Sequence, residues 1–216
     1  LGRDPGQALY TFLISPLLSA NGLQELLVKA SPLVMIGVGI ALAVRANVWN
    51  IGAEGQYMVG AIVGGWVGLS FPDAPAILLF PAMMVAGVVG GMAWAGIVAL
   101  LKVRFNANEI LTSLMLTYVA QFLLIYLVAG PLRDPQGYGF PQSATFSDTA
   151  TAPLLIAGSR VHIGVALALL IAIGGWIFLS RTVTGFAVRV QGEAPRAARF
   201  AGFSEGRLVW LVLLIS

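Results

Sequence analysis

Apolar runs separated by short polar breaks make up almost the whole chain, and each run predicts a helix. A helix needs about 20 apolar residues to cross a bilayer. Two predicted spans are short: one from 33 to about 48, which Ser31-Pro32 opens, and one at 56–69. Full spans are predicted at 76–101, 110–128 and 163–179, and a further span begins at Leu208. Residues 5–30 mix apolar and polar side chains, which is typical of an amphipathic segment at the interface. The pattern predicts an all-α, polytopic helical membrane protein, a bundle with one broken helix.

Composition agrees with this class and excludes several others. Of the 216 residues 58% are hydrophobic and only 10% are charged, whereas a soluble domain carries about 25% charged residues. The chain has no cysteine, which excludes thiol catalysis, disulfides and Cys-ligated metals, and its single histidine, His162, argues against a multi-histidine metal site. Because the chain begins at Leu1 and ends at Ser216 within an apolar run, we expect a single transmembrane domain over 1–216 that is incomplete at both ends.

Basic residues are unequally divided between the two sides of the predicted membrane. If the spans alternate in direction, one side carries eight of them: Arg45, Lys102, Arg104, Arg181, Arg189, Arg196, Arg199 and Arg207. The other side carries four: Arg3, Lys29, Arg133 and Arg160. The excess of Lys and Arg marks the cytoplasmic side. We therefore expect 130–162 to be an extracytoplasmic loop and 182–207 to be a cytoplasmic loop.

A polar break at 43–61, AVRANVWNIGAEGQYMVGA, lies between the two short apolar runs. Such a break is typical of a discontinuous helix, which membranes tolerate where the freed backbone is buried or lines a wet cavity. Asn50, Glu54 and Gln56 are therefore candidate residues of a substrate path. Glu54 is also near enough along the chain to pair with Arg45 if the backbone turns. The alternative is an ordinary polar turn on the cytoplasmic side.

A hydrophilic stripe runs along the predicted helix at 110–128. Four of its residues recur every four positions, which keeps their side chains on one helix face: Glu109, Ser113, Thr117 and Gln121. Asn108 and Thr112 lie beside them. The stripe could line the path of a polar solute, or it could join helices through hydrogen bonds worth about 0.6 kcal/mol each. Two small-residue ridges, Gly60/Gly64/Gly68 and Gly87/Gly91/Ala95, predict close helix packing.

The loop at 182–207 contains a predicted short helix, Glu193 to Ala201, with Gly192 and Gly202 as its stops and Pro195 in its first turn. It could lie on anionic lipid or dock a soluble partner, and its narrow apolar face favours docking. The candidate docking residues are Gly192, Glu193, Arg196, Ala197, Ala198, Arg199, Phe200, Ala201 and Gly202.

Four stretches carry a resemblance to a known family: NVWNIGAEGQYMVGA (47–61), FNANEILTSLMLTYVA (105–120), GPLRDPQGYGFPQ (130–142) and VRVQGEAPRAARFAGF (188–203). In content, order and spacing they resemble permease subunits of bacterial ABC importers for nucleosides and simple sugars, within the branched-chain amino acid and ribose permease superfamily. The third is most similar to the nucleoside branch that works with basic membrane protein-type lipoproteins. The chain departs from the family at Asn47-Val48-Trp49, where Gly-Leu or Gly-Val is more usual.

The resemblance implies a multi-pass subunit of the bacterial cytoplasmic (inner) membrane that moves a nucleoside or simple sugar into the cytoplasm. It implies three protein partners, namely an ATP-binding cassette subunit, a second permease subunit and an extracytoplasmic substrate-binding lipoprotein, besides the lipid bilayer and no nucleic acid. The segment 193–202 would be the helix that couples to the ATPase. We expect no catalytic residue, no metal and no cofactor in this chain, with ATP and Mg on the partner ATPase. The alternative is a secondary transporter of a small polar solute, driven by an ion gradient through Glu54 and Glu109.

Overall fold

The structure, a computed structural model, describes residues 5–156 and 158–216, so Arg3 and residue 157 of the predicted outer loop lie outside the described residues. The α-helices are Pro5–Leu9 (α1), Ser15–Leu18 (α2), Ala20–Arg45 (α3), Ala53–Ser70 (α4), Ala76–Phe105 (α5), Glu109–Ala129 (α6), Ile163–Arg181 (α7), Val183–Glu193 (α8), Pro195–Phe200 (α9) and Glu205–Ile215 (α10). A π-helical turn, Tyr10–Ile14, joins α1 to α2, and a 3-10 turn, Asp148–Ala150, precedes α7. The predicted all-α class is confirmed.

The first long helix begins earlier than the sequence pattern predicts. α3 starts at Ala20 and carries Pro32 in its interior, so the prediction that Ser31-Pro32 opens a helix is wrong. Residues 20–30 therefore belong to α3 and not to a separate interfacial segment. Proline lacks the N–H that would bond to the carbonyl four residues earlier, which is that of Val28. The Ser31 hydroxyl donates to this carbonyl instead, at 2.9 Å, and the helix continues through the proline.

Four helices are long and apolar enough to cross a membrane: α3, α5, α6 and α7. α4, with 18 residues, and α10, with 11, are not among the four within the described residues. The predicted boundaries of α5, α6 and α7 hold to within four residues at each end. Four such helices are the mark of a multi-pass membrane protein.

The chain divides into two compact units, which are described separately. The first contains residues 5–37 and 152–174, and the second contains residues 38–151 and 175–216. In the first unit the guanidinium of Arg160, in the segment before α7, lies 3.2 Å from a carboxylate oxygen of Glu25 on α3.

The second unit is held together first by the contact between α4 and α5, where the two predicted glycine ridges face each other. A Cβ atom added to Gly60 would lie 2.9 Å from the carbonyl oxygen of Gly87, and one added to Gly64 would lie 2.8 Å from that of Met83. Only glycine allows the two backbones to come this close. The predicted close packing is confirmed.

A second cluster of buried residues lies where the end of α3, α5, α8 and α10 meet. Small and β-branched side chains dominate it, so the helices pack tightly: Ala43, Ala46, Val48, Val98, Ala99, Ala187, Val188, Leu208, Val209, Val212 and Leu213. This cluster fixes the start of α4 and the segment α8–α10 to the same end of α5. The candidate functional residues gather around this end.

Candidate functional site

The polar break predicted between two helices is present as the connection between α3 and α4. Asn47 adopts a left-handed backbone conformation with φ of 56°, which asparagine tolerates better than most residues. The N–H of Val48 donates to the carbonyl of Ala43 at 3.0 Å. Asn50 is buried; its Oδ1 accepts from the N–H of Gly52 at 2.9 Å, and its Nδ2 donates to Oγ of Ser216 at 2.6 Å. These bonds satisfy backbone and amide groups that a broken helix would otherwise leave unpaired.

Glu54 does not pair with Arg45, which corrects the contact suggested by their spacing. Arg45 ends α3 and Glu54 lies in the first turn of α4. Both side chains are exposed, and the ion pairs of the described residues do not join them. The connection turns through Asn47 and Asn50 before α4 begins, and its hydrogen bonds are local to those asparagines. Glu54 instead places a negative charge at a helix N-terminus, where the helix dipole favours it.

Part of the predicted stripe on α6 packs directly against the start of α4. Ser113 is 0% exposed, and its Oγ accepts from the N–H of Ile51 at 3.2 Å. A Cβ added to Gly55 would lie 2.9 Å from Cα of Thr117, so α4 and α6 are in backbone contact there. The hydroxyl of Thr117 donates back to the carbonyl of Ser113 at 3.1 Å. The Ser113 hydroxyl therefore joins α6 to the α3–α4 connection, whereas Thr117 bonds within α6 and meets α4 only by packing against Gly55.

The other predicted path residues lie in different surroundings. Asn108 caps α6, since its Oδ1 accepts from the N–H groups of Ile110 and Leu111, and the Thr112 hydroxyl donates to the Asn108 carbonyl at 3.0 Å. Gln121 is exposed one turn beyond Thr117. Gln56 on α4 is buried, and its Nε2 donor has no partner among the described residues. The structure therefore does not gather the predicted path residues into one lining.

Glu109, the first residue of the stripe, forms an ion pair with Lys102 from the end of α5, with 2.7 Å between Nζ and a carboxylate oxygen. Between the two, Asn106 ends α5 in a left-handed conformation with φ of 52°, and the N–H of Ala107 bonds to the carbonyl of Leu101 at 3.1 Å. The ion pair therefore closes a tight turn between α5 and α6. In the sequence Lys102 stands out only for its charge, although its position seven residues before Glu109 across a turn could have suggested the pair.

The predicted docking helix is shorter than expected, and its first boundary is wrong. Gly192 lies inside α8, which continues to Glu193, and the short helix is α9, Pro195–Phe200. Gly192 is needed for packing and does not stop a helix, because any side chain there would collide with the carbonyl oxygen of Arg45. Two other predictions hold: Pro195 occupies the first turn of α9, and Gly202 lies just beyond its C-terminal end with φ of +81°.

α9 presents one side of its surface to solvent and packs with the other. Phe200 is 95% exposed, and Arg196 and Ala197 are exposed as well. Ala198 is fully buried and faces inward. The guanidinium of Arg199 lies 2.7 Å from a carboxylate oxygen of Glu205 on α10. An exposed aromatic ring on a helix whose other side is packed is suited to contact with another protein.

A polar cavity of about 420 Å³ lies beside α9. We call it the α9 cavity; its walls come from the α3–α4 connection, the ends of α5 and α8, the start of α6, and α9 and α10: Ala46, Asn47, Val48, Trp49, Lys102, Glu109, Gln191, Pro195, Arg199, Glu205 and Val209. Both the Lys102–Glu109 and the Arg199–Glu205 ion pairs lie on it. Gln191 and Glu205 were not among the predicted site residues, since neither forms part of a recognisable spacing.

Comparisons with known proteins place these features in a family. The sequence model of the family described as "Branched-chain amino acid transport system / permease component" matches residues 22–216. The chain is 40% identical over its whole length to glucose ABC transporter permease protein TsgB13 of Haloferax volcanii, of which it covers 59%. It is 30% identical, over 89% of its length, to guanosine ABC transporter permease protein NupP of Bacillus subtilis, of which it covers 55%.

A third relative, nucleoside ABC transporter permease protein NupB of Lactococcus lactis, is 27% identical over the whole chain, which covers 61% of that protein. No solved structure matches the chain. In each of these three relatives the chain spans between half and two thirds of the length.

Proposed function

The chain belongs to the family of branched-chain amino acid transport system permease components, and from this premise we propose that it is the membrane-spanning permease subunit of an ATP-driven importer for a nucleoside or a simple sugar. Relatives named for guanosine, nucleoside and glucose transport support this range of cargo. The hydrophilic groups available for a solute are amides and hydroxyls, which suit a neutral, hydroxyl-rich molecule. We propose a bacterial cytoplasmic membrane as its location.

The proposed complex contains an ATP-binding cassette subunit, a second permease subunit and an extracytoplasmic substrate-binding lipoprotein. ATP and Mg would be bound by the ATPase, where hydrolysis takes place, and this chain would do no covalent chemistry. The excess of basic residues around α8, α9 and the end of α5 supports a cytoplasmic position for α9. The loop at 130–162 would then face the binding lipoprotein.

The observation that carries the proposal is the exposed surface of α9. Phe200 is held in solvent by a helix whose other side, at Ala198, is buried. An exposed aromatic ring on a short helix offers a partner an anchor that fills a pocket at small entropic cost. Movement of a docked ATPase would be passed to α10 through the Arg199–Glu205 contact and through the packing of α9 against α8 and α10.

The solute path is proposed to use the polar groups that packing leaves available. Gln56 offers an unpaired donor on α4, and Gln121 is exposed on α6. Leaving a buried amide donor unpaired costs about 1–3 kcal/mol, and a solute hydroxyl that accepts from it would recover this cost. Ser113 and Thr117 would support the path by holding α4 against α6.

The experiment that tests the proposal uses the full-length permease, reconstituted in liposomes with its second permease, ATPase and binding lipoprotein. Uptake of labelled guanosine, adenosine, cytidine, ribose and glucose is measured with and without ATP, in the absence of an ion gradient. We expect ATP-dependent uptake of one class of solute. Uptake that needs a proton or sodium gradient and ignores ATP would contradict the proposal and favour the secondary transporter with Glu54 and Glu109.

A matched pair of variants tests the role of α9. Phe200→Ala removes an exposed ring from α9, and Phe140→Ala removes one from the loop at 130–142, where Phe140 is also exposed. We expect Phe200→Ala to weaken ATPase binding by at least about tenfold, which corresponds to about 1.4 kcal/mol. Phe140→Ala should leave ATPase binding unchanged, and equal effects of the two would contradict docking through α9.

A further inference from the structure

The α9 cavity has features that the proposed function does not use. Its volume of about 420 Å³ lies within the range of about 300–1,000 Å³ typical of small-molecule sites. It is formed by six segments of the chain, so an occupant would contact α9, the start of α6 and the α3–α4 connection at once. Its chemistry can be read from its charges, its unpaired polar group and its one large aromatic side chain.

The charges on the cavity wall are already balanced. Lys102 is paired with Glu109 at 2.7 Å, and Arg199 is paired with Glu205 at 2.7 Å. Two positive and two negative groups that neutralise each other leave no net field to attract a phosphate or a metal cation. A charged ligand would have to break the Lys102–Glu109 pair, whose Glu109 side chain is only 11% exposed, or compete with the more exposed and weaker Arg199–Glu205 pair. An uncharged ligand with polar edges need do neither. The cavity therefore favours a neutral molecule.

Gln191 gives the cavity an unmet hydrogen-bonding capacity. The side chain is only 5% exposed, and its Oε1 has no partner among the described residues. An unpaired buried acceptor is energetically unfavourable, so a donor that reaches it is bound favourably. Gln191 lines the cavity, and because the last torsion of a glutamine side chain is soft, rotation of the amide could present Oε1 to an occupant. The complementary group on a ligand is an N–H or O–H donor.

Trp49 supplies the cavity with its one aromatic wall. Its side chain lies on the α3–α4 connection and is 48% exposed. A partly exposed ring beside a cavity offers its face for stacking, and a planar base covers such a face with its whole ring. A saturated sugar ring can meet it only through some of its C–H groups. The cavity therefore favours a planar ring over a saturated one.

We propose that the α9 cavity is a binding site for an uncharged, planar nitrogen heterocycle with N–H donors, of the size of a nucleoside. This inference rests on the proposed function and extends it, because the site would sense solute on the side of the membrane where α9 lies. An occupant touching Arg199 and Glu109 together restrains α9 against α6. Solute that accumulates after import would thereby slow transport.

The test measures binding directly, without transport. The full-length permease–ATPase complex is placed in nanodiscs without the binding lipoprotein, and binding of labelled guanosine is measured by equilibrium dialysis. Gln191→Leu and Trp49→Ala should each weaken binding by at least about tenfold, as the loss of about 1.4 kcal/mol requires. The matched controls are Gln136→Leu and Trp176→Ala, whose side chains are exposed elsewhere. Unlabelled glucose should not displace guanosine.

Three results would overturn the proposal. The first is the absence of saturable guanosine binding up to millimolar concentration. The second is binding that survives Gln191→Leu and Trp49→Ala but is lost in Gln121→Leu, which would place guanosine in the transport path and leave the importer proposal standing. The third is binding to the permease alone that disappears when the ATPase is added, since the cavity would then be part of the subunit interface.

A second experiment tests whether an occupied α9 cavity slows transport, and its result can be told apart from that of the importer test. Uptake by proteoliposomes preloaded with unlabelled guanosine is compared with uptake by empty ones, for the wild type and for Gln191→Leu. Internal guanosine should inhibit only the wild type. If ATP drives no uptake at all while the binding result holds, the importer proposal fails and the binding site stands.

Discussion

A single methyl group added at Gly60 tests the packing that organises the second unit. In Gly60→Ala the new Cβ would lie 2.9 Å from the carbonyl oxygen of Gly87, a backbone atom that cannot rotate away. Carbon–oxygen contacts between helices are about 3.3–3.6 Å, so α4 and α5 must separate by roughly 0.4 Å or more. Overpacking of this kind costs about 1–3 kcal/mol. Alanine gains about 1 kcal/mol over glycine in a helix, which leaves a net loss of about 0–2 kcal/mol.

Gly174→Ala is the matched control, because a Cβ added at Gly174 in α7 meets no atom within 4 Å. The control gains helix propensity without the collision, so the free energies of unfolding of the two variants should differ by about 1–3 kcal/mol. The assay is the apparent thermal midpoint of the purified full-length permease in detergent, followed by tryptophan fluorescence. Gly60→Ala should unfold below Gly174→Ala by roughly 2–4 °C for each kcal/mol. Equal midpoints would refute the close contact between α4 and α5.

Three further predictions concern the helix ends around the α9 cavity and use the same thermal assay. Ser113→Ala should destabilise by about 1–3 kcal/mol, because the N–H of Ile51 loses its acceptor in a buried place; an unchanged midpoint would contradict that bond. Lys102→Met should lower the free energy of unfolding by on the order of 1–3 kcal/mol, because it leaves the carboxylate of Glu109, a side chain only 11% exposed, without its partner. The loss should be smaller than for a fully buried pair. Adding Glu109→Gln to Lys102→Met should recover most of the loss, and failure to recover it would rule out the ion pair as the cause. Asn106→Ala should cost about 1 kcal/mol and Asn106→Gly almost nothing, since the backbone there is left-handed with φ of 52°; equal effects would contradict that conformation.

The long helices could be predicted because their signals are local. α5, α6 and α7 are continuous apolar runs, and their ends are marked by residues that act on their own backbone. Asn108 caps α6 by accepting from two N–H groups within three residues of itself. Asn106 ends α5 because asparagine tolerates the left-handed conformation. A reader of the sequence sees both groups next to the boundary that they create.

The wrong boundaries arise where a distant or unusual contact overrides the local signal. Pro32 normally marks a helix start, but the Ser31 hydroxyl takes the carbonyl that the proline leaves unpaired. Gly192 normally marks a helix end, but here the glycine is required by the carbonyl of Arg45, which is far away in sequence. Neither compensation changes the hydrophobic pattern. The sequence alone therefore favours the ordinary interpretation in both places.

The candidate site was predictable in its residues and not in its partners. Helical spacing puts Glu109, Ser113 and Thr117 on one face of α6, and the structure keeps them there. Which helix covers that face depends on Gly52 and Gly55, whose missing side chains let α4 approach. Spacing within one helix carries no information about the helix packed against it. For the same reason the α9 cavity, whose walls come from six separate segments, could not be derived from sequence patterns.

The hydrophilic face of α6 is therefore divided along its length by what packs against it. Its first turns are occupied by the Glu109 ion pair and by the hydroxyl contacts of Ser113 and Thr117 with α4. A group already engaged in packing cannot exchange partners with a passing solute without loosening the helices. Gln121, beyond the packed region, is exposed, and we propose that any solute contact on this face falls to it. In that proposal the polar stripe joins helices near α9 and meets solute farther along the span, so the two interpretations of the stripe would apply to different turns of one helix.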